Sequence, residues 1–223
     1  FDEAMLKYEW GSKAKPHQKD GAKKLAIAKR GILGDKRGLG KTLTSIAWAD
    51  LSGSRKVLCI VPNDVRGNFV REVNYWAPHR SVVDLGGMSK IQRNALLDVF
   101  KDLPDIFVVI NYEAWRKDNK LLQQLIACKF DTVIADEAHM LKEMDTNAFR
   151  GVKTIIHAEN SCEVCGSDNF DPSYYQSGYG YTKRCFDCGF VQSKFGEFCS
   201  VKNVLPMTGT PILNKPQDIF PLL

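Results

Sequence analysis

The chain has 223 residues, 44% of them hydrophobic, enough to bury one substantial core with a small appended module and too few for two full-sized domains. Its 31 basic against 26 acidic residues give a net charge of +5, which leans toward a polyanionic partner while remaining compatible with a merely solvated surface. No apolar run approaches the roughly eighteen residues that span a bilayer, and Phe1 to Trp10 carry no basic-then-apolar leader pattern. The expectation is a soluble intracellular protein (cytoplasm, nucleoid or nucleus) with no membrane partner, and a start at Phe1 hints at a fragment.

In chain order, a helix is predicted over Gln18 to Lys29, then a first short buried strand over Gly31 to Leu33. Residues 34 to 42 read Gly-Asp-Lys-Arg-Gly-Leu-Gly-Lys-Thr and lead into a helix expected over Lys41 to Leu51. Runs rich in β-branched residues follow at Val57 to Val61, Ile106 to Ile110 and Thr132 to Ala135, with helices predicted between them at Val65 to Trp76 and Leu121 to Cys128. The third of these runs leads into Asp136-Glu137-Ala138-His139. Alternation of this kind predicts an α/β fold, a doubly wound and mainly parallel sheet whose ligands bind beyond the carboxyl ends of its strands. Near Glu159 the texture changes to Cys, Tyr, Phe, Gly and Ser, and after Cys199 the strand Asn203 to Pro206 resumes the sheet. The organisation expected is one lobe over 1–223 with an insertion at 159–200.

A glycine-rich turn opening a helix offers backbone N–H groups and the positive end of the helix dipole to phosphates; Lys41 adds a point charge and Thr42 a Mg²⁺ ligand. The acidic pair Asp136 and Glu137 supplies what hydrolysis still lacks. Together the motifs point to ATP hydrolysis, with Gly38, Leu39, Gly40, Lys41, Thr42 and Asp136 at the nucleotide. The insertion carries a second signal. Cys162-x-x-Cys165-Gly166 and Cys185-x-x-Cys188-Gly189 leave nineteen residues between Cys165 and Cys185, a spacing suited to a four-cysteine zinc ribbon. Each glycine permits the positive φ of a zinc knuckle, and Zn²⁺ would supply folding energy that so short a segment lacks. Cys59 and Cys128 read as small apolar core residues and Cys199 as a spare thiol.

The order Pro16-His17-Gln18, Gly38-Leu39-Gly40-Lys41-Thr42, Asp136-Glu137-Ala138-His139 and Thr208-Gly209-Thr210-Pro211 resembles the first RecA-like lobe of a superfamily-two helicase. Val57 to Pro62, Trp76-Ala77-Pro78, Ile110-Asn111-Tyr112-Glu113 and Leu213-Asn214 narrow the resemblance to Swi/Snf-like double-stranded-DNA translocases. It implies that Gln18 reads the adenine edge, Lys41 grips the terminal phosphates, Thr42 with Asp136 holds Mg²⁺, and Glu137 polarises the attacking water. His139, Thr208 and Thr210 would couple hydrolysis to nucleic acid. Beyond the strand ends, Asn63, Asn111 and Tyr112 would meet DNA phosphates. The ordinary alternatives are a solvated helix residue for Gln18, a core histidine for His139 and turn formers for Thr208 and Thr210. Asp35 agrees with the Swi/Snf-like branch, whereas Lys36-Arg37 replaces its usual Glu-Met. These two are read as exposed basic residues in preference to phosphate attractors.

The resemblance also implies a second RecA-like lobe with an arginine finger, which the sequence to Leu223 does not contain, so weak or absent turnover is expected of these residues alone. Two rivals stand beside the translocase reading. One is a helicase lobe separating RNA or acting on single-stranded DNA; the other is a non-catalytic, zinc-stabilised scaffold binding nucleotide or DNA.

Overall fold

A computed structural model of the chain describes residues 1–100, 103, 105–114, 119–141, 147–156, 164, 171, 180–195 and 201–209. Its helices are α1 (Asp2–Met5), α2 (Glu9–Lys13), α3 (Pro16–Ala28), α4 (Lys41–Leu51), α5 (Arg66–Trp76), α6 (Lys90–Phe100), α7 (Asn119–Ala127) and α8 (Asn147–Ile156). Its strands are β1 (Lys56–Val61), β2 (Ser81–Asp84), β3 (Ile106–Asn111), β4 (Thr132–Ala135), β5 (Gly180–Arg184), β6 (Val191–Phe195) and β7 (Asn203–Pro206).

Five strands form one parallel sheet in the order β2-β3-β1-β4-β7, with Leu58 opposite both Val108 and Val133. Strands β1, β3 and β4 are apolar nearly throughout because helices cover both faces. Alternation then divides the core. Val57, Cys59, Val61, Phe107, Val109 and Ile134 pack with α4 and with Phe69 and Val73 of α5. Leu58, Ile60, Val108, Ile110 and Val133 pack against Leu97 of α6, Leu121 and Leu125 of α7, and Val152 and Ile155 of α8. Cys59 and Cys128 are buried in these cores, as expected.

Three of the predicted helices and the strands β1, β3, β4 and β7 fall within two residues of their expected bounds, as does α4. The predicted strand over Gly31 to Leu33 is corrected. It is reduced to two isolated parallel bridges, Arg30 to Val204 and Leu33 to Met207, on the outer edge of β7. Only Leu33 of the three is buried, and glycines at 31 and 34 leave little to hold a pleated ladder there. Strand β2 was not foreseen because Ser81–Asp84 is a four-residue edge strand with two apolar residues. Helix α8 was legible and overlooked: Phe149, Val152, Ile155 and Ile156 recur at helical spacing.

The short helices α1 and α2 are anchored at the opposite end of the sheet from the glycine-rich loop. Trp10 is fully buried and its Nε1 donates to Asp50 Oδ2 at 2.8 Å. The Asp50 carboxylate also meets Arg80 Nε at 2.9 Å and His79 Nε2 at 3.3 Å, while Arg80 stacks over Phe107. A buried ion pair is costly to break from one side, because the remaining charge stays desolvated. Asp50→Ala is therefore expected to lower unfolding free energy by about 3–5 kcal/mol in chemical denaturation. Trp10→Phe, which leaves the ion pair intact, should cost less.

Candidate functional site

Every nucleotide motif lies at the carboxyl end of the sheet. The chain leaves the bridge at Leu33, turns through Gly34 to Gly40 and enters α4 at Lys41. Gly38 and Gly40 take φ of +83° and +79°, a region that glycine enters without steric penalty. Gly40 has a second constraint: a Cβ there would overlap Gln18 Nε2. Gln18 is buried, its Oε1 accepts the Lys15 N–H at 2.9 Å and its Nε2 donates to the Leu39 carbonyl at 3.1 Å. His17 Nε2 lies 3.1 Å from the same carbonyl. The Gln18 amide thus caps α3 and braces the loop. A solvated helix residue it is not.

Lys41 Nζ donates to the Asp35 carbonyl at 3.1 Å, spanning its own loop. Opposite it, β4 ends at Ala135 and is followed by Asp136, whose N–H donates to the Ile60 carbonyl at 2.8 Å. Glu137 follows at φ +48°, a left-handed conformation strained for a residue with a Cβ, and its N–H donates to Asp136 Oδ1 at 2.9 Å. Burial foremost raises the Asp136 carboxyl to about 6; the Glu137 N–H and Lys41 oppose that rise, and the charges of Glu137 and Glu72 add to it. Glu137 Oε2 is buried and accepts no aligned hydrogen bond, although His139 Nδ1 lies 3.1 Å away. Arg37 Nε lies 3.9 Å from Glu137 Oε1.

Backbone bonds join these parts. The Met207 N–H donates to the Ala135 carbonyl, Ala138 N–H to the Met207 carbonyl and Thr208 N–H to the Leu33 carbonyl, at 2.8, 2.8 and 3.1 Å. Thr208 is buried, and a Cβ on Gly209 would come within 3.0 Å of Lys41 Nζ and 2.7 Å of Arg37 Cγ. Gln18, Gly40, Lys41, Asp136, Glu137, His139 and Thr208 are therefore held along one edge; Thr210 lies outside the described residues. The sequence reading missed the contact at Gly209, whose signal was a residue without a side chain between two threonines.

The predicted nucleic-acid residues fare differently. Asn63 is exposed after β1 and its Oδ1 accepts from Arg66, which also pairs with Asp84. Asn111 Nδ2 donates to Glu113 Oε2 at 2.9 Å. Tyr112 is only 1% exposed, and its hydroxyl donates inward to the Asp136 carbonyl at 2.6 Å. An aromatic ring after a buried strand gains more from the core than from solvent, and here its hydroxyl finds a partner inside. Near the amino end, Lys13, Lys23 and Lys24 pair with Glu9, Asp2 and Asp20.

Of the cysteine pairs, Cys162, Cys165 and also Cys199 lie outside the described residues. Cys185 and Cys188 sit at the tip of the antiparallel hairpin β5–β6. Cys185 N–H donates to the Phe190 carbonyl at 2.8 Å, Gly189 N–H to the Cys185 carbonyl at 2.9 Å, and Gly189 has φ +70°, the tight turn expected of a knuckle. Among the described residues no three metal-ligating side chains come together. Nor, among them, is any helix long and apolar enough to cross a membrane.

The chain matches the SNF2-related domain family over residues 17–167. It is 30% identical over 164 residues to the Mus musculus SWI/SNF-related matrix-associated actin-dependent regulator of chromatin subfamily A containing DEAD/H box 1, covering 69% of this chain and 16% of that protein. It is also 30% identical over 154 residues to the DNA excision repair protein ERCC-6-like of Danio rerio, covering 62% and 10%. Among solved structures, the Sulfolobus solfataricus SWI2/SNF2 ATPase core in complex with dsDNA shares the fold, with a TM-score of 0.60 and 21% identity over 94% of this chain and 34% of that one. The chain thus spans about a sixth or less of the length of these relatives.

Because the folded Asp136 carboxyl holds its proton up to about pH 6 against an ordinary value of 3.8, the folded state binds more protons than the unfolded one between those limits. Stability contributed by this group falls as pH rises through that window, by at most about 3 kcal/mol. In metal-free buffer Asp136→Asn is expected to raise the melting temperature at pH 7.5 and to leave it nearly unchanged at pH 4. Equal effects at both pH values would contradict the assignment.

Proposed function

The chain belongs to the SNF2-related domain family, and we propose that it is the ATP-binding lobe of an ATP-dependent double-stranded-DNA translocase or helicase, hydrolysing ATP with Mg²⁺ when completed by a second RecA-like lobe. The observation that carries this reading is the approach of Gly209 to Lys41: the loop that would grip phosphates touches the segment after β7, whose backbone is tied to the Asp136-Glu137 turn. The oxygen donors Thr42 and Asp136 suit a hard cation, and the burial that holds the Asp136 proton is the setting a cation relieves. Magnesium, when bound, would neutralise phosphate charge.

Lys41 exchanges its Asp35 carbonyl for terminal phosphate oxygens, and the N–H groups of the loop and the first turn of α4 complete the cradle. The Glu137 carboxylate, with Oε2 beside His139 and Oε1 on the Arg37 side, orients the attacking water. Little covalent work is left for the protein, so positioning and charge dominate. Through the Ala138 to Met207 bond and the nearby imidazole of His139, the state of the nucleotide passes to Thr208 and Thr210. Asn63 and Asn111, at neighbouring strand ends, meet DNA phosphates without reading sequence. Tyr112 supports Asp136 instead. Relatives named as a chromatin regulator and a DNA excision repair protein support a DNA substrate and an intracellular setting.

We also propose that residues 159–200 form a zinc ribbon, with Cys185 and Cys188 completing a tetrahedral site with Cys162 and Cys165. The knuckle turn at Gly189 and the four-cysteine spacing support it.

In a protein containing both lobes, Glu137→Gln is expected to keep ATP affinity and lower turnover by about a hundredfold or more. Unchanged function would favour the scaffold reading. Duplex DNA should stimulate turnover more than single strands; the reverse would favour a strand-separating helicase. For the ribbon, metal analysis should find one zinc per chain, lost in Cys185→Ser with ATP affinity retained. Zinc-free protein with an intact hairpin would exclude the site.

A further inference from the structure

The glycine-rich loop carries a cation that the phosphate-loop pattern does not demand. Arg37 stands three residues before Gly40, its Cγ lies over Gly209, and its Nε is 3.9 Å from Glu137 Oε1. Lys41 Nζ approaches the same glycine from the loop's other limb. The Arg37 stem and the Lys41 ammonium therefore meet at Gly209, and the Arg37 head reaches from there toward the Glu137 carboxylate. Arg37 is exposed, as its position in the sequence suggested, yet its stem and its Nε are both directed at the site. The Arg37 side chain is 74% exposed and its head is held by no closer ion pair than the 3.9 Å approach to Glu137, which is itself 20% exposed and set by its left-handed turn.

We propose that Arg37 is a terminal-phosphate sensor: its guanidinium rests beside Glu137 when no nucleotide is bound and transfers to the oxygens of the last phosphate of a nucleoside triphosphate. The inference rests on the ATPase reading above and deepens it. An exposed pair at 3.9 Å is a weak hold, whereas a triphosphate presents a denser charge and oxygens suited to the planar fork of arginine. Transfer has two consequences. It adds a donor to the one phosphate that distinguishes ATP from ADP, and it uncovers Glu137 Oε1 for water only once that phosphate is in place. Gly209 is part of the device, since a side chain there would meet the Arg37 stem.

The test is the ratio of ADP to ATP dissociation constants for the 223-residue chain, measured by calorimetry with Mg²⁺. Arg37→Met restores the uncharged residue of the Swi/Snf-like pattern and, at so exposed a position, leaves the fold intact. It is expected to weaken ATP binding at least about tenfold and ADP binding little. Lys36→Met, a neighbouring charge outside the cluster, should leave the ratio unchanged. If Arg37→Met weakens both nucleotides equally, or neither, the sensor role is overturned while the nucleotide site stands. If the unsubstituted chain binds neither nucleotide, the ATPase reading fails and the sensor with it.

Discussion

The site depends on a short backbone lacing at the carboxyl edge of the sheet. Met207 N–H to Ala135, Ala138 N–H to Met207 and Thr208 N–H to Leu33 bind three segments that are distant in sequence into one unit. Each bond alone is modest, but these groups are buried, where an unmade hydrogen bond costs more than a made one contributes. The lacing fixes the glycine-rich loop, the acidic turn and the segment after β7 relative to one another before any ligand arrives. Cores on both faces of the sheet keep it rigid.

On that edge the protein accepts local cost for chemistry. Asp136 is a carboxylate kept partly out of water, Glu137 is bent into a left-handed conformation, and one of its oxygens is left without an aligned donor. None of these stabilises the empty fold. Each is what a metal, a water and a phosphate would exploit, and rigid surroundings are what allow such strain to persist.

The central strands were legible in the sequence because burial on both faces demands unbroken apolar runs, and Val57 to Val61 or Ile106 to Ile110 have no other reading of comparable economy. Lys41, Asp136 and Glu137 stood out in the sequence because the proposed chemistry needs those residue types, a lysine opening the helix after a glycine-rich turn and carboxylates just beyond a strand end. The edges were not. Val82 and Val83 are too few to announce β2, and Gly31 to Leu33 have the composition of a strand without the neighbours that make one. At Tyr112 an aromatic residue at a strand end fits a surface contact and a buried brace equally well in sequence; only the path of the chain turns its hydroxyl to the Asp136 carbonyl. Gln18 was assigned to the base, yet its bracing of Leu39 and its crowding of Gly40 depend on how α3 lies against the loop, which no local pattern encodes.

The most direct measurement is equilibrium binding of ATP to the 223-residue chain with and without Mg²⁺, for the native sequence and for Lys41→Ala. A site built from this loop and this acidic turn predicts saturable binding that is strengthened by Mg²⁺ and lost in Lys41→Ala. Binding that ignores both the metal and the lysine would contradict the account.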